Sequence, residues 1–214
     1  MKEISDGRLY SVQDMAKLGC GECAGCSACC KGMGSSIILD PFDVYRLEKH
    51  LKKDFEELLQ KSLELNVVDG VILPNMKLVG EDEHCNFLNE EGRCSIHESR
   101  PGICRLFPLG RFYENGDYQY FLQVKECQKK NRTKVKISKW IDTPDYGTYK
   151  KYILRWHYFL NKAEEMIQNT SDENFSKQFC MLILQAFYGK RYDITKDFYE
   201  QFEERMQLVE DALS

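Results

Sequence analysis

Nine of the ten cysteines in this chain lie between Cys20 and Cys127, and five fall within eleven residues as Cys20-x2-Cys23-x2-Cys26-x2-Cys29-Cys30. Two-residue gaps let thiolates converge on one centre from a tight turn. Among the intervening residues Gly21, Ala24, Gly25, Ser27 and Ala28 are small, so the backbone can fold closely round a metal. Cys85-x8-Cys94-x9-Cys104 and the more distant Cys127 supply a second group. A chain of 214 residues needs no disulfides to make up for a small core. The start, Met1-Lys2-Glu3-Ile4, lacks the apolar run of a secretory signal. That predicts a reducing, cytoplasmic setting, where clustered thiols serve more often as metal ligands than as bridges.

A structural zinc takes four tetrahedral ligands. Cys29 and Cys30 are adjacent, and neighbours reach one ion only with strain, which suggests two centres or one polynuclear cluster. Cys20-x2-Cys23-x2-Cys26 also matches the three-ligand run of a cubane cluster with a remote fourth cysteine, although no x3-Cys-Pro follows. The spacing therefore favours an iron–sulfur cluster over zinc as the cofactor. In an extended backbone successive side chains alternate. Cys29 and Cys30 could then divide, one joining the upstream run and the other Cys85, Cys94 and Cys104. The alternative is a local N-terminal centre beside a separate one at Cys85 to Cys104.

Four ordered blocks carry a resemblance. They are Cys23-x2-Cys26-x2-Cys29-Cys30, then Cys85-x-Phe87-Leu88, then Gly92-Arg93-Cys94-Ser95-Ile96-His97, then Arg100-Pro101-x2-Cys104-Arg105-x-Phe107-Pro108. In these the chain resembles the YkgJ-type cysteine-cluster family, the CxxCxxCC domain described as zinc- or iron-chelating. The resemblance covers roughly Cys20 to Cys127. It implies ligands at Cys23, Cys26, Cys29, Cys30, Cys85, Cys94 and Cys104, with Cys127 as a late one, and Cys20 extends the pattern upstream. The family includes the cysteine-cluster portion of flagellin lysine-N-methylases, so it implies metal binding more firmly than any reaction.

Bunched thiolates call for nearby cations, which lower thiol pKa values and favour ligation. Lys31, Arg93, Arg100 and Arg105 stand within a few residues of a proposed ligand. His97 has ligand spacing from Cys94 but reads first as a non-ligand. His84 reads as an exposed turn residue and His157 as packing beside Trp156 and Tyr158. Cys180, in Phe179-Cys180-Met181-Leu182, reads as a buried structural thiol. The run Lys125, Lys129, Lys130, Arg132, Lys134, Lys136 and Lys139 is opposed only by Glu126. Val135 and Ile137 alternate with Lys134 and Lys136, which favours an edge strand kept soluble by lysines over a polyanion-binding face.

Elsewhere the patterns predict helices and hairpins. Asp40-Pro41-Phe42-Asp43 reads as an N-cap, a Pro at the first helical position and an acidic first turn. A second helix begins at Asp54 and runs to Leu63. Asp69-Gly70 and Asn115-Gly116 each join two apolar runs as a hairpin turn. From Tyr149 onward apolar residues recur at helical spacing in three stretches, the second capped by Ser171. The expected fold class is α+β. A small cysteine-rich, metal-organised domain over residues 1–142 carries a C-terminal helical extension over residues 143–214.

Apolar residues make up 43% and charged residues 30%, which excludes disorder and collagen. A formal charge of −4 argues against a wholesale nucleic-acid binder. The longest charge-free stretch, Gln178 to Gly189, is 12 residues, against the roughly 20 needed to cross a bilayer. No P-loop, G-x-G-x-x-G, H-E-x-x-H or G-x-S-x-G occurs. The sequence thus points to a module holding an iron–sulfur cluster or zinc in a structural or redox role, with a protein partner as a further candidate. A lysine-N-methylase-like enzyme and a polyanion-binding adaptor are the alternatives.

Overall fold

Two aspartates open the first two helices. Asp40 Oδ1 accepts from the Asp43 N–H at 2.9 Å, and Asp54 Oδ1 from the Glu57 N–H at 2.9 Å. Asp43 and Glu57 each return a carboxylate to the cap residue's own N–H, so both ends are reciprocal capping boxes. In this computed structural model residues 4–19, 26–129 and 131–213 are described. In chain order the elements are β1 (Met15–Gly19), α1 (Pro41–Leu51), α2 (Phe55–Lys61), β2 (Leu63–Val68), β3 (Val71–Met76), β4 (Leu78–Val79) and β5 (His84–Cys85). There follow α3 (Gly102–Leu106), β6 (Leu109–Glu114), β7 (Asp117–Leu122), β8 (Thr133–Lys136), α4 (Ile137–Ile141), α5 (Tyr146–Gln168), α6 (Glu173–Leu184) and α7 (Phe198–Asp211). The architecture is α+β with a helical C-terminal stretch, as the sequence predicts.

The chain forms two units that interleave along the sequence. The first comprises Met1–Gly34 and Leu78–Leu154, the second Ser35–Lys77 and Arg155–Ser214. The first unit holds three two-stranded antiparallel ribbons, β1–β8, β4–β5 and β6–β7. The β6–β7 turn is Asn115-Gly116, with φ of 51° and 77°. Both central residues in the left-handed region give the turn whose twist matches the strands, the role the Asn-Gly pair predicts. Leu18, Leu109, Tyr118, Tyr120, Leu122, Ile137 and Tyr149 are buried in this unit. β8 runs only to Lys136; Ile137 opens α4 rather than extending the strand, and its side chain is fully buried. Lys134 and Lys136 are exposed, so the strand half of the lysine pattern is an edge strand.

The second unit packs helices on the β2–β3 hairpin, whose turn Asp69-Gly70 again has both φ positive, at 50° and 87°. Its core is aromatic. Trp156, Phe187 and Phe202 meet edge to face or tilted, with ring centroids 5.0 to 6.1 Å apart. Asp172, one residue beyond the predicted Ser171, caps α6, accepting from the Asn174 and Phe175 N–H groups. α6 ends in a π-helical turn over Gln185–Gly189. Arg205 closes this end: its guanidinium donates to the carbonyls of Ala186 in the turn and of Lys190 and Arg191 just beyond it, and stacks 3.4 Å from the Tyr192 ring centroid. No helix among the described residues is long and apolar enough to cross a membrane.

Candidate metal centre

The first unit gathers the cysteines. Ala28–Cys30 is a 3-10 turn closed by the Cys30 N–H donating to the Ser27 carbonyl at 2.8 Å. The backbone there is not extended, so Cys29 and Cys30 do not alternate across a strand; their thiols hydrogen-bond to each other. The Cys30 S–H donates to the Cys29 sulfur. That bond, helped by the Cys29 N–H and the nearby Arg100 cation, pulls the Cys29 thiol down to about 6 against the cost of burial. Cys30 goes the other way, because its proton is held in the bond, it is buried, and it faces the charges of Cys29, Cys85 and Cys104. Two adjacent thiols thus share one proton, with the negative charge on Cys29.

Cys85 and Cys94 stand in the same electrostatic neighbourhood, each within reach of Cys29. β5 places Cys85, and its bridge partner Lys31 brings the residue after Cys30 against His84. A second bridge, Leu88 to Cys94, folds the Glu90-Glu91-Gly92 turn back and returns Cys94 toward Cys85. Burial raises both thiols, and one local device opposes it at each. The Phe87 N–H donates to the Cys85 sulfur and the Ile96 N–H to the Cys94 sulfur. A donor two residues beyond a cysteine steadies its thiolate form. Cys104 lies inside α3, which Pro101 caps.

Cys26, Cys29 and Cys127 line a cavity of about 30 Å³, room for about two water-sized bodies. Leu18, Phe107, Pro108 and Trp140 form apolar walls. The Trp140 Nε1–H holds the Phe107 carbonyl at 3.1 Å, fixing one wall against another. Cys29 therefore belongs to both groups, facing Cys26 and Cys127 across the cavity and Cys30, Cys85 and Cys94 through its charge. Cys20 and Cys23 lie outside the described residues. Among the described residues no three Cys, His, Asp or Glu side chains close on one point as a preformed metal site would. The donor chemistry still fits a thiophilic metal, since the described thiols of this unit form no disulfide and are soft, with a cation beside Cys29.

The neighbouring charges divide. Arg100 is the cation felt by Cys29 and Cys94. Lys31 instead pairs with Asp82 at 2.7 Å, and His84 Nδ1 lies 2.6 Å from the same carboxylate. Those partners, Lys31 first, pull Asp82 down to about 2. Arg105 points elsewhere, donating to Thr143 Oγ1 at 3.0 Å and the Asp142 carbonyl at 3.4 Å. His97 Nε2 is 3.1 Å from Arg100 Nη1, and His157 Nε2 is 3.3 Å from Asn161. In the second unit Cys180 is buried and its S–H donates to the Gly70 carbonyl at 3.4 Å, the structural thiol its apolar context predicts. Sequence reading missed the N–H donors of Phe87 and Ile96 and the Trp140 wall. The first two stand at the second position after a cysteine, a spacing that could have marked them; nothing local marks Trp140.

Residues 22–138 match the family model described as "CxxCxxCC: Putative zinc- or iron-chelating domain". The match spans more than half of the chain, and the chain belongs to this metal-chelating family. No curated protein and no solved structure gives a match.

Proposed function

We propose that the first unit holds an iron–sulfur cluster through its gathered cysteines, in a structural or redox role. The observation that carries this reading is the dual position of Cys29, between the Cys26 and Cys127 cavity and the Cys30, Cys85, Cys94 and Cys104 group. Seven described thiols on one unit exceed the four that one tetrahedral zinc takes. A polynuclear centre, or two centres sharing an edge, uses them better. Cys26, Cys29, Cys30, Cys85, Cys94, Cys104 and Cys127 are the proposed ligands, with Cys20 and Cys23 completing the upstream run. The cluster would supply one-electron chemistry or simply tie the ribbons together. Arg100 offsets the charge of the thiolates, and the Phe87 and Ile96 N–H groups orient their sulfurs. Free thiols fit a reducing, cytoplasmic compartment.

The test is anaerobic purification followed by assay of iron, acid-labile sulfide and zinc. Brown protein with iron and sulfide in near-equal amounts is the expected result. Colourless protein with stoichiometric zinc would overturn the cluster and leave only the chelating fold.

A further inference from the structure

We propose that Arg105 and Arg111 form an anion site in the first unit that takes one oxyanion group, a carboxylate or a phosphate. Arg105 is 5% exposed. Its Nη1 is spent on Thr143 and the Asp142 carbonyl, but its Nε and Nη2 are buried with no acceptor among the described residues. Those two nitrogens form one edge of the guanidinium, the parallel fork that grips a carboxylate or phosphate through two N–H bonds. Arg111 supplies a second, half-buried cation. Its Nη2 donates to the Tyr149 hydroxyl at 3.1 Å, while its Nε is buried and unpaired.

Both arginines stand against one ring, each guanidinium carbon lying 5.9 Å from the Tyr149 centroid. Around Arg111 the partners are neutral phenols, with the Tyr118 ring at 5.4 Å. Lys150, the next cation, is already matched by Asp117 at 2.5 Å. No described carboxylate pairs with Arg105 or Arg111. Ring faces and hydroxyls satisfy part of the hydrogen bonding but bring no negative charge. A water could accept one N–H and would still leave two charges of like sign, one buried and one half-buried, in one tyrosine-lined region with no described counter-charge, an arrangement that costs free energy. Cys29 and Cys94 are matched by a different cation, Arg100. An oxyanion on the Arg105 edge would meet the unpaired donors and the charge together. The site is independent of which metal the cysteines hold.

The experiment is thermal unfolding of the metal-loaded protein in inorganic phosphate and, separately, in acetate, with chloride as the ionic-strength control. At an anion concentration ten times Kd the midpoint should rise by about 3 °C. A rise with phosphate alone assigns a phosphate group; a rise with acetate assigns a carboxylate. Arg105→Gln should abolish the rise. Arg105→Lys keeps the charge without the paired edge, and should weaken the response at least about tenfold in anion concentration. Calorimetric titration of the unaltered protein, read as one anion per chain, keeps the test decisive if Arg105→Gln fails to fold. No midpoint shift beyond chloride, or an equal shift in the unaltered protein and in Arg105→Lys, would overturn the site.

Discussion

The second unit closes rings on rings: Phe187 and Phe202 are completely buried, and Trp156 packs against both. The first unit is built from two-stranded ribbons and short turns, with α3 and α4 only five residues each. An isolated two-stranded ribbon is marginal in water, and five-residue helices are far below the length that holds without tertiary support. One unit owes its order to apolar burial. The other sets five thiols around Cys29 and Cys30 beside a smaller apolar core that includes Leu18, Leu109 and Tyr120. The lesson is that the two units differ in what apolar packing alone can hold, and that the proposed metal bonding would fall in only the first.

The sharpest way to break this contrast is to remove the metal. Thiolate–metal bonding in small structural sites contributes about 10–16 kcal/mol of folding free energy. Chelation should therefore abolish amide protection in β6–β7 and around Cys85 and Cys94, while α6 and α7 stay protected, as hydrogen exchange would record. Equal loss in both units would mean that metal is not what separates them.

The converse perturbation is Phe202→Ala. It should cost about 3–5 kcal/mol by opening a cavity among Trp156, Phe187 and Phe198. Metal content per folded chain should not change, and elemental analysis of the purified variant checks it.

A pH dependence in the second unit turns on one buried carboxyl. Glu48 is buried with Oε1 unpaired, and burial above all raises its carboxyl to about 7; Asp54 pushes the same way, while Arg191, Arg205 and the Phe55 N–H oppose it. The ordinary glutamate value is about 4.3. Between these two values the folded state keeps a proton that the unfolded chain has lost, so stability falls as pH rises from about 4.3 to about 7. The loss is at most about 4 kcal/mol, less to the extent that solvent screens the carboxyl. Glu48→Gln should flatten the slope in urea titrations across that range, and an unchanged slope would remove Glu48 from the account.

The smallest effect separates two cysteines. Cys29→Ser should lower metal content, whereas Cys180→Ser should leave it intact and cost about 1 kcal/mol in packing and its bond to the Gly70 carbonyl. Loss of metal in Cys180→Ser would contradict the division of roles.

Local signals were legible wherever the physics is local. The capping boxes at Asp40 and Asp54, the two positive-φ turns and the stripe on α5 all depend on residues within a few positions of one another. The misses share a cause. Ile137 has strand alternation, yet its burial is decided by packing in the unit, and there it begins a helix. Arg105 sits beside Cys104 in sequence, but the turn of α3 sends its guanidinium toward Thr143. The grouping of Ser35–Lys77 with the C-terminal helices depends on long-range contacts that no window reveals. For the thiols, the bridges at Lys31 and Cys94 supply a folding-back that spacing alone does not encode.

X-ray absorption at the metal edges of anaerobically purified protein tests the central claim most directly. An iron edge with sulfur neighbours and a second iron shell, lost together in Cys29→Ser, is the expected result. A zinc edge with four sulfurs at about 2.3 Å and no metal–metal shell would contradict it.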